Sequence, residues 1–206
     1  MRIAIALYPG FTALDVIGPY EVLGRLPGAE VVFVAERPGL VTNDLTSLSI
    51  DVAATFDDVP APDVVLIGGG PGQQKQMSDG PLHQWLRAAD RTSVWTTSVC
   101  TGGLILAAAG LLDGRRATTH WAGLEELAKY GARPTRERVV FDGPYATAAG
   151  VSAGIDMALA LSGLIAGEET AQAVQLIIEY APEPPFAAGS VSQASPAVIE
   201  RATAMM

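Results

Sequence analysis

Short apolar runs recur along the first half of the chain and predict buried strands. Residues 3–8, 30–35 and 63–67 are almost continuously apolar, and residues 94–99 are rich in β-branched side chains. Runs of this length and continuity are typical of parallel strands that helices cover on both faces. We therefore predict that these four segments are strands of one mostly parallel sheet.

Helix-like spacing of apolar residues fills the segments between and after these strands. The predicted helices cover residues 14–23, 81–87, 102–109, 122–129, 150–166, 168–179 and 196–206, and residues 138–149 are predicted to form a hairpin. Strands that alternate with helices favour a parallel sheet between two helical layers. We predict one domain over residues 1–206, an α/β sandwich with a mostly parallel central sheet of the flavodoxin-like type.

A sharp strand-to-helix turn is predicted around the chain's single cysteine, Cys100. The pattern Ser98-x-Cys100-x-Gly102 has the form of a nucleophile elbow, with Cys in the position that Ser holds in hydrolases. Small residues two places before and after the nucleophile keep side chains from colliding as the chain reverses. A thiol there lies at a helix N-terminus, which favours the thiolate. The alternative is a buried cysteine that acts only as a small hydrophobic residue.

Two further segments are expected to meet this elbow. Ligands of open parallel sheets bind beyond the carboxyl ends of the strands, and Asp15, the glycines 68–70 and Cys100 each follow such an end. Gly69 and Gly70 offer bare backbone N–H groups that can approach a ligand closely. Asp15 is either a first-turn acid that interacts with its helix dipole or a carboxyl directed toward the sheet edge.

Composition narrows the range of partners. The 206 residues are 49% hydrophobic and carry a formal net charge of −9, so a nucleic-acid partner is not expected. There is no uncharged apolar run long enough for a membrane helix, and we expect no membrane association. One cysteine excludes an intramolecular disulfide and suits the cytoplasm. Two histidines without a ligand pattern predict no metal site, and His83 is expected at the surface.

The chain resembles the ThiJ/PfpI superfamily, whose fold is related to class I glutamine amidotransferases. The resemblance covers nearly the whole length and is closest to the isocyanide hydratase branch. Its motifs are Leu14-Asp15-x-x-Gly18-Pro19, Ile67-x-Gly69-Gly70, Ser98-Val99-Cys100-Thr101-Gly102, and the blocks 114–122, 153–156, 174–182 and 184–190. The last block is more particular to this branch than the elbow is.

The resemblance implies roles for individual residues. Cys100 falls on the family nucleophile and Asp15 on the acid/base carboxyl, while Thr101 stands where protease relatives carry a histidine. A proteolytic Cys-His pair is therefore not expected, and His120 is interpreted as structural or pocket-lining. Thr101 is a third candidate catalytic residue. Gly69, Gly70 and Val151 are candidate substrate-binding residues, and no cofactor is expected.

The activity that the resemblance implies is the addition of water to an isocyanide, through a covalent Cys100 adduct, to give an N-substituted formamide. The expected substrate is a small hydrophobic electrophile, and the protein is expected to be a homodimer. Two alternatives stay open, namely glyoxalase or deglycase action on α-oxoaldehydes and a non-catalytic cysteine redox sensor. A small-molecule-binding regulator without catalysis is a further possibility.

Overall fold

A seven-stranded, mostly parallel sheet forms the centre of the protein. The computed structural model describes all 206 residues. The sheet has the strand order β10-β11-β7-β6-β1-β2-β5, and only β10 runs antiparallel to its neighbour. The strands are β1 (Arg2–Ala6), β2 (Glu30–Ala35), β3 (Gly39–Thr42), β4 (Ser49–Val52), β5 (Ala54–Thr55), β6 (Val64–Ile67), β7 (Trp95–Val99), β8 (Arg116–Ala117), β9 (Arg133–Pro134), β10 (Val139–Asp142) and β11 (Tyr145–Ala148). The pairs β3–β4 and β8–β9 form separate two-stranded sheets.

Helices pack in two groups against this sheet. The α-helices are α1 (Ala13–Leu23), α2 (Pro81–Asp90), α3 (Gly102–Ala108), α4 (Ala153–Ala166), α5 (Glu168–Ile177) and α6 (Pro196–Ala204), and two 3-10 helices cover Pro71–Gln76 and Trp121–Tyr130. Helices α1, α4 and α5 pack together, and α3 packs with α2 and the second 3-10 helix. The predicted α/β sandwich with a mostly parallel, flavodoxin-like sheet is confirmed. None of the helices combines the length and apolar character that crossing a bilayer requires.

Strand register brings the predicted site segments to one edge. Ile67, the last residue of β6, pairs with Ala6 of β1 on one side and with Ser98 of β7 on the other. Because all three strands are parallel, the glycines after β6 lie between the loop after β1 and the turn after β7. The juxtaposition of the Asp15 segment with Cys100 therefore follows from strand order.

Several local expectations differ from the structure. The segment 122–129 is a 3-10 rather than an α-helix, although Gly131 ends it at φ 83° as a left-handed cap. Helix α4 begins at Ala153, because residues 150–152 form a turn in which Val151 has φ 20°. His83 is wrongly predicted at the surface, since it is 2% exposed and its Nε2 lies 2.7 Å from the carbonyl oxygen of Gln76.

The elbow needs a small residue two places after Cys100 because the end of β6 lies very close to that position. A Cβ on Gly102 would overlap the carbonyl oxygen of Ile67 and would lie 2.9 Å from the carbonyl carbon of Gly68. Both are backbone atoms at the end of β6, so neither can move aside without shifting the sheet. The close approach of α3 to β6 therefore requires glycine at position 102.

We expect Gly102→Ala to destabilise the protein by about 1–3 kcal/mol, because a side chain in a closely packed site forces backbone shifts. Urea unfolding followed by circular dichroism measures the change. Gly163→Ala is the matched control, since that glycine lies inside α4 with Ala171 Cβ 3.9 Å from the added carbon. The control should keep or raise stability, by up to about 1 kcal/mol, because alanine favours helix. Equal stability of Gly102→Ala and the wild type would contradict this account of the elbow.

Candidate active site

Cys100 adopts the strained backbone conformation that the elbow pattern predicts. Its φ is 56°, in the left-handed region that non-glycine residues rarely occupy, and the residue is 6% exposed. The Cys100 N–H donates to the carbonyl oxygens of Ala148 (3.1 Å) and Ala149 (2.9 Å). The Thr119 hydroxyl donates to the Cys100 carbonyl oxygen at 2.6 Å. These hydrogen bonds to the N–H and the carbonyl group of Cys100 hold the turn in place.

Asp15 is a buried carboxyl of the site and not a helix cap. It has no exposed surface, and its Oδ2 accepts a hydrogen bond of 2.7 Å from the N–H of Gly69, 54 residues away. Its Oδ1 is buried without a hydrogen-bond partner. Burial raises the pKa of Asp15 to about 7, against the opposing effects of the Gly69 N–H and the Cys100 thiol. Asp15 is therefore a carboxyl that holds or releases a proton near neutral pH.

The Cys100 thiol shares this dry environment. Burial and then the charge of Asp15 raise the pKa of Cys100 to about 12, although the N–H groups of Val151 and Thr101 act in the opposite direction. The expectation of a resting thiolate is therefore wrong, because loss of solvation outweighs the helix N-terminus. At neutral pH the sulfur keeps its proton until another group accepts it.

The N–H groups of Gly69 and Gly70 bind the side chains of Asp15 and Thr101 and are not free. The Gly70 N–H donates to Thr101 Oγ1 at 3.0 Å, while the Gly69 N–H binds Asp15 as described. A Cβ on Gly69 would overlap both the backbone nitrogen and the Oγ1 of Thr101. Both N–H groups therefore already have partners within the protein, and the predicted contact of Gly69 and Gly70 with a ligand stays a prediction.

The N–H groups of Thr101 and Val151 both act on the Cys100 sulfur. Because Thr101 Oγ1 accepts from Gly70, its own hydroxyl hydrogen is left to donate to a bound molecule. The Val151 N–H acts directly on the Cys100 sulfur, and Val151 also lines an adjoining cavity. The structure thus places Asp15, Thr101 and Val151 next to Cys100.

The adjoining cavity has a volume of about 530 Å³ and a mixed lining. Its walls are Thr118, Thr119, His120, Trp121, Leu124, Arg136, Arg138, the segment 149–152 and the segment 189–192. This lining is more polar than the hydrophobic substrate expected from the sequence requires. Sequence analysis missed Arg136, Arg138 and the hydrogen bond of Thr119 to the elbow. Only the block 114–122 of the family motifs pointed toward Thr119.

His120 lines this cavity, in agreement with its predicted role. Its Nδ1 accepts a hydrogen bond of 3.4 Å from the N–H of Ala122. Burial lowers the pKa of His120, so the ring is neutral near pH 7 and carries its proton on Nε2. No group of three His, Cys, Asp or Glu side chains could hold a metal ion.

Burial of Asp15 predicts a specific pH dependence of stability. The carboxyl keeps its proton up to about pH 7 in the folded state but loses it near pH 4 when unfolded, so the folded state binds more protons in between. The free energy of unfolding therefore falls as pH rises from about 4 to 7, by on the order of 4 kcal/mol from this residue.

Asp15→Asn removes this titration because the amide stays neutral. We expect urea unfolding at pH 5 and pH 8 to show a smaller loss of stability in the variant than in the wild type. The charge of Asp15 acts on the pKa of Cys100 and of Tyr8, but burial keeps both pKa values above this pH range, and the remaining titratable groups are common to both proteins. Parallel pH profiles for the two proteins would contradict a raised pKa of Asp15.

Comparisons with known proteins agree with the fold. The DJ-1/PfpI family profile matches residues 1–163. Isonitrile hydratase of Pseudomonas putida is 44% identical over 202 residues, which cover 98% of this chain and 88% of that protein. A ThiJ/PfpI family protein from Pseudomonas syringae has a crystal structure with a TM-score of 0.93 and 40% identity, and the match covers 98% of this chain and 84% of that one. The HTH-type transcriptional regulator CdhR of Pseudomonas aeruginosa is 30% identical over 80% of this chain but only 51% of its own length. The chain therefore belongs to the DJ-1/PfpI family.

Proposed function

We propose that this protein adds water to isocyanides and releases N-substituted formamides. The observation that carries the proposal is the buried Asp15 carboxyl in direct interaction with the Cys100 thiol, in a site from which solvent is excluded. The hydratase of Pseudomonas putida named above supports it, because isonitrile is another word for isocyanide and the similarity spans almost the whole chain.

The first step joins the thiol to the isocyanide carbon. That carbon bears a lone pair and is electrophilic once protonated. Asp15 donates its proton to the carbon as the sulfur attacks, and the thiol proton passes to the carboxylate that remains. The product is a thioimidate, R–N=CH–S–Cys100, which contains every atom of the thiol and the isocyanide. A carboxyl with a pKa of about 7 suits this exchange, because it both gives and accepts a proton near neutral pH.

The second step replaces sulfur by oxygen. Water adds to the C=N bond, its hydroxyl to carbon and its proton to nitrogen, and gives a tetrahedral adduct. Collapse of this adduct forms the formyl C=O and expels the sulfur, which recovers the proton of the former water hydroxyl. The Thr101 hydroxyl lies beside Cys100 and can donate to the water oxygen. The Val151 and Thr101 N–H groups stabilise negative charge on the departing sulfur.

Competing activities fit this site less well. Peptide cleavage needs a base to activate the thiol and then protonate the leaving nitrogen, and the protease histidine is replaced by Thr101. Rearrangement of an α-oxoaldehyde needs a base at a substrate carbon, whereas burial favours the protonated form of Asp15 before the first step. A redox sensor would use an accessible thiol of low pKa, whereas Cys100 is buried with a raised pKa.

Parallel assays of three substrates test the proposal. We expect formamide from an alkyl isocyanide such as cyclohexyl isocyanide, negligible cleavage of casein, and much weaker consumption of methylglyoxal. Mass spectrometry identifies the products. Efficient methylglyoxal consumption without isocyanide turnover would favour the α-oxoaldehyde activity instead.

Two variants control this assay. Cys100→Ala should lower formamide production by several orders of magnitude, because the nucleophile is lost while the fold stays intact. Retention of more than about a tenth of wild-type turnover would rule out covalent catalysis. Asp15→Asn keeps the shape of the side chain but cannot donate the proton, so an unchanged rate and pH profile would remove Asp15 from the chemistry.

We also propose that the protein is a cytoplasmic homodimer. The apolar first helix offers less support than its sequence suggests, because Val16, Val22 and Leu23 are buried within the chain's own core. The C-terminal arm (181–206) supports it better, since α6 has no buried residue and Phe186 is 79% exposed. A single reduced cysteine suits the cytoplasm.

Light scattering measures the oligomeric state. We expect a mass of twice 21.4 kDa at micromolar concentration, because pairing would cover the exposed apolar side chains of the arm. A mass near that of one chain under the same conditions would contradict the dimer.

A further inference from the structure

The cavity beside Cys100 is lined by basic and neutral residues, although the protein as a whole is acidic. Its lining includes two arginines, Arg136 and Arg138, and no acidic residue. The chain as a whole has 22 acidic and 13 basic residues. A cationic wall in so acidic a protein, placed next to the reactive sulfur, favours an anionic group on the bound molecule.

Arg138 is firmly held and keeps hydrogen-bond donors for a ligand. Its Nε pairs with Asp156, and its Nη2 donates to Ser152 Oγ at 3.2 Å. Both hydrogens of Nη1 remain available, because guanidinium carries five N–H donors. The Arg138 carbonyl oxygen also accepts a hydrogen bond of 2.9 Å from the N–H of Ala149. The Ala149 carbonyl oxygen in turn accepts from the Cys100 N–H, so the backbone of Arg138 is linked to the elbow through one residue.

Arg136 is less constrained. Its only ion pair is with Glu125, at 3.6 Å between Nη2 and Oε1, and the two side chains are 73% and 88% exposed. Exposed pairs of this kind contribute about 0–1 kcal/mol. A ligand carboxylate can therefore replace Glu125 at little cost.

The N-terminus of α4 adds to the same positive field. Val151 and Ser152, which precede the helix, line the cavity. The helix dipole places partial positive charge at this end, although Asp156 in the first turn offsets part of it. The Val151 N–H reaches the Cys100 sulfur, so the cationic wall begins next to the reacting atom.

We propose that the preferred substrates are isocyanides whose substituent carries a carboxylate, and that Arg136 and Arg138 bind this group. The inference rests on the proposed function, because the isocyanide end must lie between Cys100 and Asp15. The carboxylate then lies in the cavity, where the planar guanidinium groups form charge-assisted hydrogen bonds with its two oxygens. Trp121 and Leu124 provide apolar contact for the carbon chain between the two ends.

A pair of substrates that differ only in charge tests the proposal. 3-Isocyanopropanoate and its methyl ester have similar intrinsic reactivity, because two saturated carbons separate the carboxyl group from the isocyanide. We expect kcat/KM to be at least tenfold higher for the carboxylate, chiefly through a lower KM. This advantage should shrink in high salt, which screens the guanidinium charges. Equal kcat/KM for the two substrates would overturn the proposal.

Substitutions at Arg136 identify the residues responsible. Arg136→Gln should lower the preference for the carboxylate at least fivefold, and Arg136→Lys should restore part of it because the charge returns. Arg37→Gln is the matched control, since Arg37 is 87% exposed and also has one long ion pair, with Glu36 at 3.9 Å. The control should leave the preference unchanged. Thermal unfolding shows whether each variant remains folded.

The outcomes separate this proposal from the one on which it rests. Formamide from both substrates at equal efficiency, or an equal loss for both in Arg136→Gln, would overturn the carboxylate site and leave isocyanide hydration intact. Absence of formamide from both substrates and from cyclohexyl isocyanide would overturn hydration itself, and the carboxylate site with it.

Discussion

The burial of two titratable groups in one dry site is the constraint on which the rest of this structure depends. Asp15 and Cys100 both lose solvation, and the charge of Asp15 makes ionisation of Cys100 less favourable, whereas the Cys100 thiol offsets part of the effect of burial on Asp15. At neutral pH the thiol is therefore protonated, and the carboxyl is close to its own pKa. Such a pair is poorly suited to attack on an ordinary amide. It is well suited to a substrate that must gain a proton at the carbon where the nucleophile bonds.

The scaffold keeps this pair together with backbone groups. The Gly69 N–H holds one oxygen of Asp15, and the Gly70 N–H holds the hydroxyl of Thr101. Both glycines follow β6, which lies between the strands that carry the other two segments. A side chain at Gly69 would overlap Thr101, so close approach of the loops requires glycine there. The glycine run thus sets how closely the Asp15 segment approaches the turn at Cys100.

Strain at the elbow is balanced by contacts from the neighbouring strand and loop. The left-handed conformation of Cys100 directs the thiol away from the sheet toward Val151 and Asp15. The carbonyl groups of Ala148 and Ala149 and the hydroxyl of Thr119 hold that conformation. The segment after β11 consequently holds the backbone of Cys100 by a hydrogen bond and also forms part of the cavity wall.

The sequence by itself determined the architecture and most of the site. Continuous apolar runs specified the parallel strands, and the small residues around Cys100 specified the elbow, because both signals depend on neighbours in the chain. The juxtaposition of Asp15 with Cys100 also followed, since the carboxyl ends of parallel strands meet at one edge. Only the tertiary structure decided that the Gly69 and Gly70 N–H groups bind protein side chains, that His83 is buried, and that Arg136 and Arg138 reach the cavity. It also decided that the thiol is protonated, in contrast to the sequence expectation. Each of these properties depends on burial or on a partner distant in sequence, and neither can be read from the pattern of neighbouring residues.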